Sequence, residues 1–201
     1  MTESTGAGER APRRIRADAQ RNIDAVLDAA KAVFGTSGVD APAKEIADLA
    51  GVGVGTVYRH FPQRSDLIVA VLHREMDAVA DAARTLVVEH EPGEALAKWI
   101  DRYIDFLATK PGFASALHSG DPAFEALPGH FLQRVEPALR SLLEAAAATG
   151  QIRADISAED LLTAVALLCQ PARGGGVEYG RRAVAVLVDG LRYRAERRQP
   201  S

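Results

Sequence analysis

The sequence lacks the features that mark exported, disulfide-bonded or membrane proteins. Its 201 residues include one cysteine, Cys169, so no disulfide can form within the chain. No stretch holds the roughly eighteen apolar residues that a membrane helix needs. The residues before Arg10 are polar and acidic, without the apolar core of a signal peptide. We therefore expect a cytoplasmic protein with no membrane contact.

Patterns that mark catalytic or metal sites are also missing. The five histidines show no metal-ligand spacing, and no paired cysteines, H-E-x-x-H or G-x-S-x-G pattern occurs. The glycine run 174–176 follows no strand and precedes no Lys-Ser or Lys-Thr, which indicates a loop rather than a phosphate cradle. We expect no catalytic residue, no metal and no cofactor. An enzyme is the alternative class that these absences argue against.

Aromatic residues and strand patterns are scarce. Only 5% of the residues are aromatic, and no apolar–polar alternation bounded by hairpin turns is present. The chain is 47% hydrophobic, enough for a core, and its apolar residues recur with a helical period. This predicts an all-α chain with helices at about 17–34, 42–50, 54–60, 65–90, 92–109, 113–118, 128–149, 158–169 and 178–195.

Charge is distributed unevenly along the chain. The net charge of -3 and the pI of about 6.0 are unusual for a nucleic-acid-binding protein. However, five arginines stand near the N-terminus against only Asp18: Arg10, Arg13, Arg14, Arg16 and Arg21. When this run is considered alone, a solvated tail explains it better than a DNA-binding role does. The neighbouring residues decide between a tail and a DNA-binding arm.

A helix-turn-helix pattern follows this basic segment. Ala47, Gly51 and Val57 stand where the motif needs a small residue, a turn glycine and an apolar anchor. A small side chain at Ala47 lets two helices cross closely, and Gly51 can adopt the positive φ that reverses the chain. Ile46, Val52 and Val57 are expected to fill the wedge between the helices. The segment 51–55 brings the backbone of the second helix close to whatever that helix contacts.

The run GVDAPAKEIADLAGVGVGTVYRHFPQRSDLI resembles the DNA-binding domain of TetR-type, tetracycline-repressor-like regulators. The resemblance covers about residues 21–71, including Gly55-Thr56-Val57-Tyr58, His60-Phe61 and Arg64. It implies a basic arm at 1–16, a three-helix helix-turn-helix domain at 17–64, and a helical ligand-binding and dimerisation domain at 65–201. It also implies that the helix 54–60 lies in the major groove of DNA.

The expected DNA contacts follow from that placement. We expect the arm to enter a flanking minor groove, and Thr56 and Tyr58 to bind phosphates. Tyr58 could instead pack in the core, and Arg59 could bind guanine or remain solvated. The sequence departs from the family pattern at Gly53, where a capping serine is frequent, and at Pro42-Ala43, where a threonine is frequent. The full set of expected contacts is Arg13, Arg14, Arg16, Lys44, Val54, Gly55, Thr56, Tyr58, Arg59, His60 and Arg64.

The last two helices carry apolar stripes that suit a four-helix dimer interface of the kind this family uses. An ordinary internal core is the alternative, and some of these side chains must serve it. The expected interface residues are Leu161, Val165, Leu168, Ala183, Leu187 and Leu191. The chain's few aromatic groups are concentrated in the central helices, where we expect an apolar pocket for an unidentified small-molecule ligand, although most of them suit core packing too. The candidates are Trp99, Tyr103, Phe106 and His118.

These expectations combine into one predicted function. The chain is expected to be a ligand-responsive repressor that binds a palindromic operator as a homodimer and is released by an inducer. The helix 65–90 would join the ligand pocket to the DNA reader. An activator on the same fold and a helical adaptor remain alternatives. An adaptor would not need Thr56, Tyr58, His60 and Arg64 in register.

Overall fold

The structure is a computed structural model that describes residues 10–109, 113–170 and 176–193. All regular elements in this part of the chain are helices, which confirms the all-α prediction. The α-helices are α1 (Arg10–Ser37), α2 (Ala43–Ala50), α3 (Val54–His60), α4 (Arg64–Glu89), α5 (Pro92–Thr109), α6 (Ala114–Leu117), α7 (Leu127–Ala148), α8 (Ala158–Leu168) and α9 (Gly176–Tyr193), with a 3₁₀ turn at Pro122–Phe124.

The helix ends follow from local chemistry. Ser157 caps α8 by accepting a hydrogen bond from the backbone N–H of Asp160 at 3.0 Å. Pro128 lies in the first turn of α7, where its missing N–H costs no helical hydrogen bond. Pro137 lies inside the same helix on its exposed side, and the helix continues to Ala148. Most ends therefore fall within two residues of the positions that the sequence predicts.

The first helix differs from the prediction. We expected it to begin near residue 17, with Arg13, Arg14 and Arg16 in an extended arm. The structure begins α1 at Arg10, so the backbone of these arginines is helical. Alanine and arginine are good helix formers, and Pro12 falls in the first turn, where proline is tolerated. Residues 1–9 of the predicted arm lie outside the described residues.

The chain divides into two compact units. The described residues 10–71 and 113–124 form the N-terminal unit, and 72–109, 125–170 and 176–193 form the C-terminal unit. We expected one boundary, after residue 64, with all later residues in a second domain. The segment 113–124 instead belongs to the N-terminal unit, because the buried ring of Phe113 packs edge-on against that of Phe34, with centroids 5.6 Å apart.

The N-terminal unit has a core built mainly on one face of α1. Val26, Ala30 and Phe34 are buried there, one helical turn apart, and α2 packs across them. Leu67 and Ile68 in the first turns of α4 are buried as well. This core fixes α2, and α2 in turn supports α3.

The C-terminal unit is organised around α5, which packs against α7, α8 and α9. Trp99 is fully buried at its centre, and its indole Nε1–H donates a hydrogen bond to the backbone oxygen of Val79 at 2.8 Å. This bond satisfies the one polar group that the side chain buries. Within the described residues, no helix is both long and apolar enough to cross a membrane.

A polar cluster joins α4 to α7 inside this unit. Asp77 accepts hydrogen bonds from His130 Nε2 at 3.2 Å and from Arg134 Nε at 2.7 Å. The imidazole rings of His73 and His130 stack with centroids 4.1 Å apart. His73 Nε2 is buried and finds no hydrogen-bond partner among the described residues. A proton on His73 would therefore be poorly solvated.

The pKa values in the cluster follow from these contacts. Burial lowers the pKa of His73 below its ordinary value, and His130 lowers it further, while Asp77 acts in the opposite direction. Burial alone would raise the pKa of Asp77, but its hydrogen bonds and charge interactions with Arg134 and His130 outweigh that effect and hold the pKa below its usual range. The folded state therefore favours a neutral His73 and an ionised Asp77.

We expect the protein to lose stability as the pH falls from about 7 to about 5. The folded state favours neutral His73, so its contribution is complete above the ordinary histidine pKa of 6.5 and is lost as the pH falls through the lower folded pKa. His73→Phe keeps a ring against His130 and removes the titration, so it should flatten this part of the melting-temperature profile. His118→Gln, which replaces an exposed histidine, is the control. An equally steep fall in His73→Phe would contradict this account.

Candidate nucleic-acid interface

The turn between α2 and α3 depends on one glycine. Gly51 has φ 67° and ψ 30°, the left-handed conformation that side chains other than hydrogen disfavour. Its N–H bonds to the carbonyls that end α2, and the N–H of Val52 donates to the Ala47 oxygen at 3.0 Å. These bonds close α2 and direct the chain into α3.

Few buried contacts hold α3 in place. Val57 is 2% exposed and is the buried residue of this helix, while Ile46 and Ala47 are its buried counterparts on α2. Val52, expected to fill the wedge with them, is only half-buried. Since the helix has seven residues, this anchor leaves most of its surface open to a ligand.

The exposed face of α3 carries the side chains expected to meet DNA. Tyr58 is 56% exposed, so the alternative that it packs in the core does not hold. Arg59 is exposed, and Thr56 and His60 are half-buried. A side-chain atom added at Gly55 would have no neighbour within 4 Å, so the backbone there is open. The helix thus presents hydroxyl, guanidinium and imidazole groups together.

The two departures from the family pattern have structural counterparts. Gly53 caps α3 and Pro42 caps α2, each with an extended backbone and without a side-chain hydrogen bond to the helix. Both residues lack a side-chain oxygen that could accept from the first amide groups. Both helices therefore begin without a side-chain cap, and the N–H groups of Glu45 and Thr56 donate instead to the backbone oxygens of Pro42 and Gly53, at 3.0 and 2.8 Å.

Two expected phosphate-binding cations have partners within the protein. Lys44 Nζ pairs with Asp48 at 2.6 Å on the exposed side of α2, an arrangement worth little in water. Arg64 Nη1 donates to the backbone oxygens of Val39 and Ala41, the latter at 2.7 Å. Because these carbonyls lie just ahead of α2, Arg64 ties the start of α4 to the helix-turn-helix. Sequence reasoning missed this role.

The predicted dimer residues divide into two groups. Leu161, Val165 and Leu191 are buried within the C-terminal unit itself, so they serve its core, which was the alternative to a dimer interface. Leu168, Ala183 and Leu187 are half-buried. The sequence did not separate these two groups because α8 and α9 have apolar residues on more than one face, and the helical period alone does not say which face meets the rest of the subunit.

Apart from the half-buried Ala183, which the sequence also suggested, sequence reasoning missed the apolar residues along the open face of α8 and α9. Tyr179, Ala183, Val186 and Gly190 follow one another at helical spacing along α9, and Val186 is 73% exposed. Leu167 is the exposed apolar residue of α8. We call these five residues the α8–α9 apolar stripe. Small residues at two of the five positions would let another helix approach closely.

The pocket candidates are divided between the two units. Trp99, Tyr103 and Phe106 stack along α5, with ring centroids 5.8 and 6.2 Å apart, and Phe131 extends the stack from α7. All three are almost fully buried, and burial raises the pKa of Tyr103 well above its usual value. His118 lies exposed in the N-terminal unit. The surface clefts of about 420 to 640 Å³ in the C-terminal unit are lined by other residues.

The described residues offer few other side chains that could bind a metal or act as a nucleophile. No group of three or more histidine, cysteine or acidic side chains there could hold a metal ion. Cys169 is half-buried, and burial raises the pKa of its thiol. A thiol in that state is a poor nucleophile.

Two family models match the chain. Residues 26–71 match the model of bacterial regulatory proteins of the tetR family, and residues 91–193 match the C-terminal domain of SbtR-like transcriptional regulators. The first match contains the turn at Gly51 and the exposed face of α3. The chain belongs to the TetR family of transcriptional regulators. It is a DNA-binding regulator and not an enzyme.

Solved structures agree with this assignment. A TetR transcriptional regulator from Streptomyces coelicolor is 38% identical, with a TM-score of 0.72, and the match covers 85% of this chain and 98% of that one. A TetR regulatory protein from Mycobacterium vanbaalenii is 37% identical, with a TM-score of 0.73 and coverage of 89% and 99%.

Curated relatives are more distant. The transcriptional repressor KstR of Mycobacterium tuberculosis is 28% identical over 128 residues, which are 63% of this chain and 58% of the repressor. Staphylococcus aureus helix-turn-helix regulators are 25% identical over 123 residues, 60% of this chain. The matched segments span 58 to 66% of the length of these relatives.

We predict that Arg64→Ala lowers the free energy of unfolding by about 1–2 kcal/mol, because two carbonyls lose a charged donor that water replaces only in part. Arg59→Ala is the matched control: its side chain is exposed, so stability should stay within about 0.5 kcal/mol of the wild type. Urea denaturation measures both variants. Unchanged stability in Arg64→Ala would show that the bonds to Val39 and Ala41 contribute nothing to the fold.

Proposed function

We propose that this regulator is a repressor that binds a palindromic operator as a homodimer and leaves it when a small molecule binds the C-terminal unit. The observation that carries the proposal is the open face of α3. Val57 anchors the helix, while Val54, Tyr58 and Arg59 remain exposed beside glycine backbone. A helix held in this way can enter the major groove without losing its support.

The contacts with DNA would divide into two kinds. Thr56 and Tyr58 offer hydroxyl groups to phosphates, while Arg59 and His60 offer donors to base edges. Lys44 and Arg64 would add phosphate contacts. Lys44 would exchange its exposed ion pair for a phosphate, and Arg64 has N–H donors beyond the Nη1 group that holds the backbone. The arginines of the first turns of α1, Arg13, Arg14 and Arg16, would extend contact along the flanking DNA.

Two arguments support a homodimer: one copy of α3 contacts few base pairs, and the subunit exposes an apolar stripe. One seven-residue helix contacts few base pairs, so two copies about one DNA turn apart give useful specificity. The α8–α9 apolar stripe offers an exposed apolar surface on which two subunits would pair. Leu168 and Leu187, which are half-buried, would border this contact.

The regulatory part of the proposal rests on the C-terminal unit. Its aromatic stack of Trp99, Tyr103 and Phe106 is packed, so a ligand would need to displace or extend it. α4 begins in the N-terminal unit and ends in the C-terminal unit, so a shift of this helix could carry the signal. The relative KstR is named a repressor, which favours repression over activation. Such a protein would act in the cytoplasm, at the nucleoid when DNA-bound.

Selection of bound sequences from random duplex DNA tests the proposal. We expect the purified wild type to recover a palindrome with half-sites about one helical turn apart. Tyr58→Ala should enrich the same palindrome much more weakly, since this change removes an exposed hydroxyl and ring that offer a phosphate contact from α3. Leu132→Ala is the control, because Leu132 is similarly exposed but lies on α7. If the wild type recovers no preferred sequence, or if Tyr58→Ala enriches the palindrome as strongly as the wild type does, the proposed DNA reader is wrong.

A further inference from the structure

The first turn of α3 exposes an apolar side chain between two bare backbone positions. Val54 is 42% exposed, although valine is among the residues most often buried. Gly53 precedes it and Gly55 follows it, and a side-chain atom added at either position would meet nothing within 4 Å. The only side chain that protrudes from the segment 53–55 is therefore that of Val54.

The chemistry of this turn restricts what it can recognise. Neither Gly53 nor Gly55 has a side chain, and valine has no hydrogen-bonding group, so the side chains of the segment 53–55 cannot read donors or acceptors on bases. In the major groove, the exposed apolar group of the base pairs is the C5-methyl group of thymine. The two glycines also leave the backbone free to approach the base edges closely.

We propose that Val54 packs against the methyl group of one thymine in each half-site and makes that base pair a determinant of the operator. This inference rests on the proposed function, because it needs α3 to lie in the major groove. Tyr58 and Arg59 follow about one turn after Val54. Their polar groups therefore do not occupy the position where Val54 would meet the base.

The nearest comparable side chain is Leu49. It is also apolar and exposed, but it belongs to α2, which crosses the DNA backbone in helix-turn-helix complexes instead of entering the groove. Leu49→Ala therefore removes exposed apolar surface from the same unit without changing the first turn of α3. It provides a matched control for Val54→Ala, and neither substitution disturbs the buried core.

The test uses the operator that the selection experiment supplies. Each thymine is replaced in turn by deoxyuridine, which differs from it only in lacking the methyl group. We expect one symmetry-related pair of positions at which the wild type loses about fourfold in affinity for each half-site, the value of one buried methyl group. Val54→Ala should bind the thymine operator more weakly and lose this sensitivity, whereas Leu49→Ala should retain it.

Two further results would overturn the inference or its basis. If the wild type binds the palindrome selectively but deoxyuridine has the same effect on it and on Val54→Ala at every position, the thymine contact is wrong and the proposed function stands. If the wild type shows no sequence-selective binding, the proposed function fails and the inference fails with it. A wild type that loses no affinity at any deoxyuridine position would contradict the thymine contact without any variant, so a folding defect in Val54→Ala cannot hide that outcome.

Discussion

The burial of Val57 beneath α3 is the contact on which the DNA-reading part of the structure depends. A helix of seven residues is too short to be stable in isolation, so its shape must come from packing. Val57 supplies that packing against α2, whose own residues Ile46 and Ala47 are buried. The left-handed turn at Gly51 fixes the direction in which the helix leaves. Because one residue provides the anchor, the other side chains are free to contact a ligand.

The same constraint explains why other parts of the chain are needed. A short reader held by one anchor contacts little DNA, so in the proposed function further affinity comes from additional cations and from a second copy of the reader. Arg64 contributes by joining α4 to the carbonyls that precede α2. The C-terminal unit contributes a packed core around Trp99 and leaves the α8–α9 apolar stripe exposed. In the proposed dimer, two subunits pair through that stripe, so that one molecule carries two copies of α3.

Much of the fold could be predicted from the sequence because its signals are local. Helical periodicity, prolines near helix starts and glycines after helix ends fix most of the helices, and the motif around Gly51 and Val57 places α3. Arg64 contacts carbonyls more than twenty residues away, and no local pattern encodes such a bond. The assignment of 113–124 to the N-terminal unit depends likewise on the distant pair Phe34 and Phe113.

The candidate dimer surface was harder to predict for a different reason. α9 has apolar residues on two faces: Val184, Val188 and Leu191 pack inside the subunit, while Tyr179 and Val186 are exposed. Helical periodicity identifies both faces, but it does not tell which of them packs inside the subunit. Only the three-dimensional arrangement of α5, α8 and α9 shows which face remains uncovered in one subunit.

The most direct test of this account is whether the exposed stripe is needed for DNA reading. Val186→Asp places a charge on the stripe, and Val88→Asp places one at a more exposed position, 85% against 73%, on α4. Light scattering gives the mass, and titration with the selected operator gives the affinity. We expect Val186→Asp to be a monomer with affinity lower by about 10²-fold or more, and Val88→Asp to match the wild type. A Val186→Asp protein that remains a dimer, or a monomer that binds as tightly as the wild type, would contradict the account.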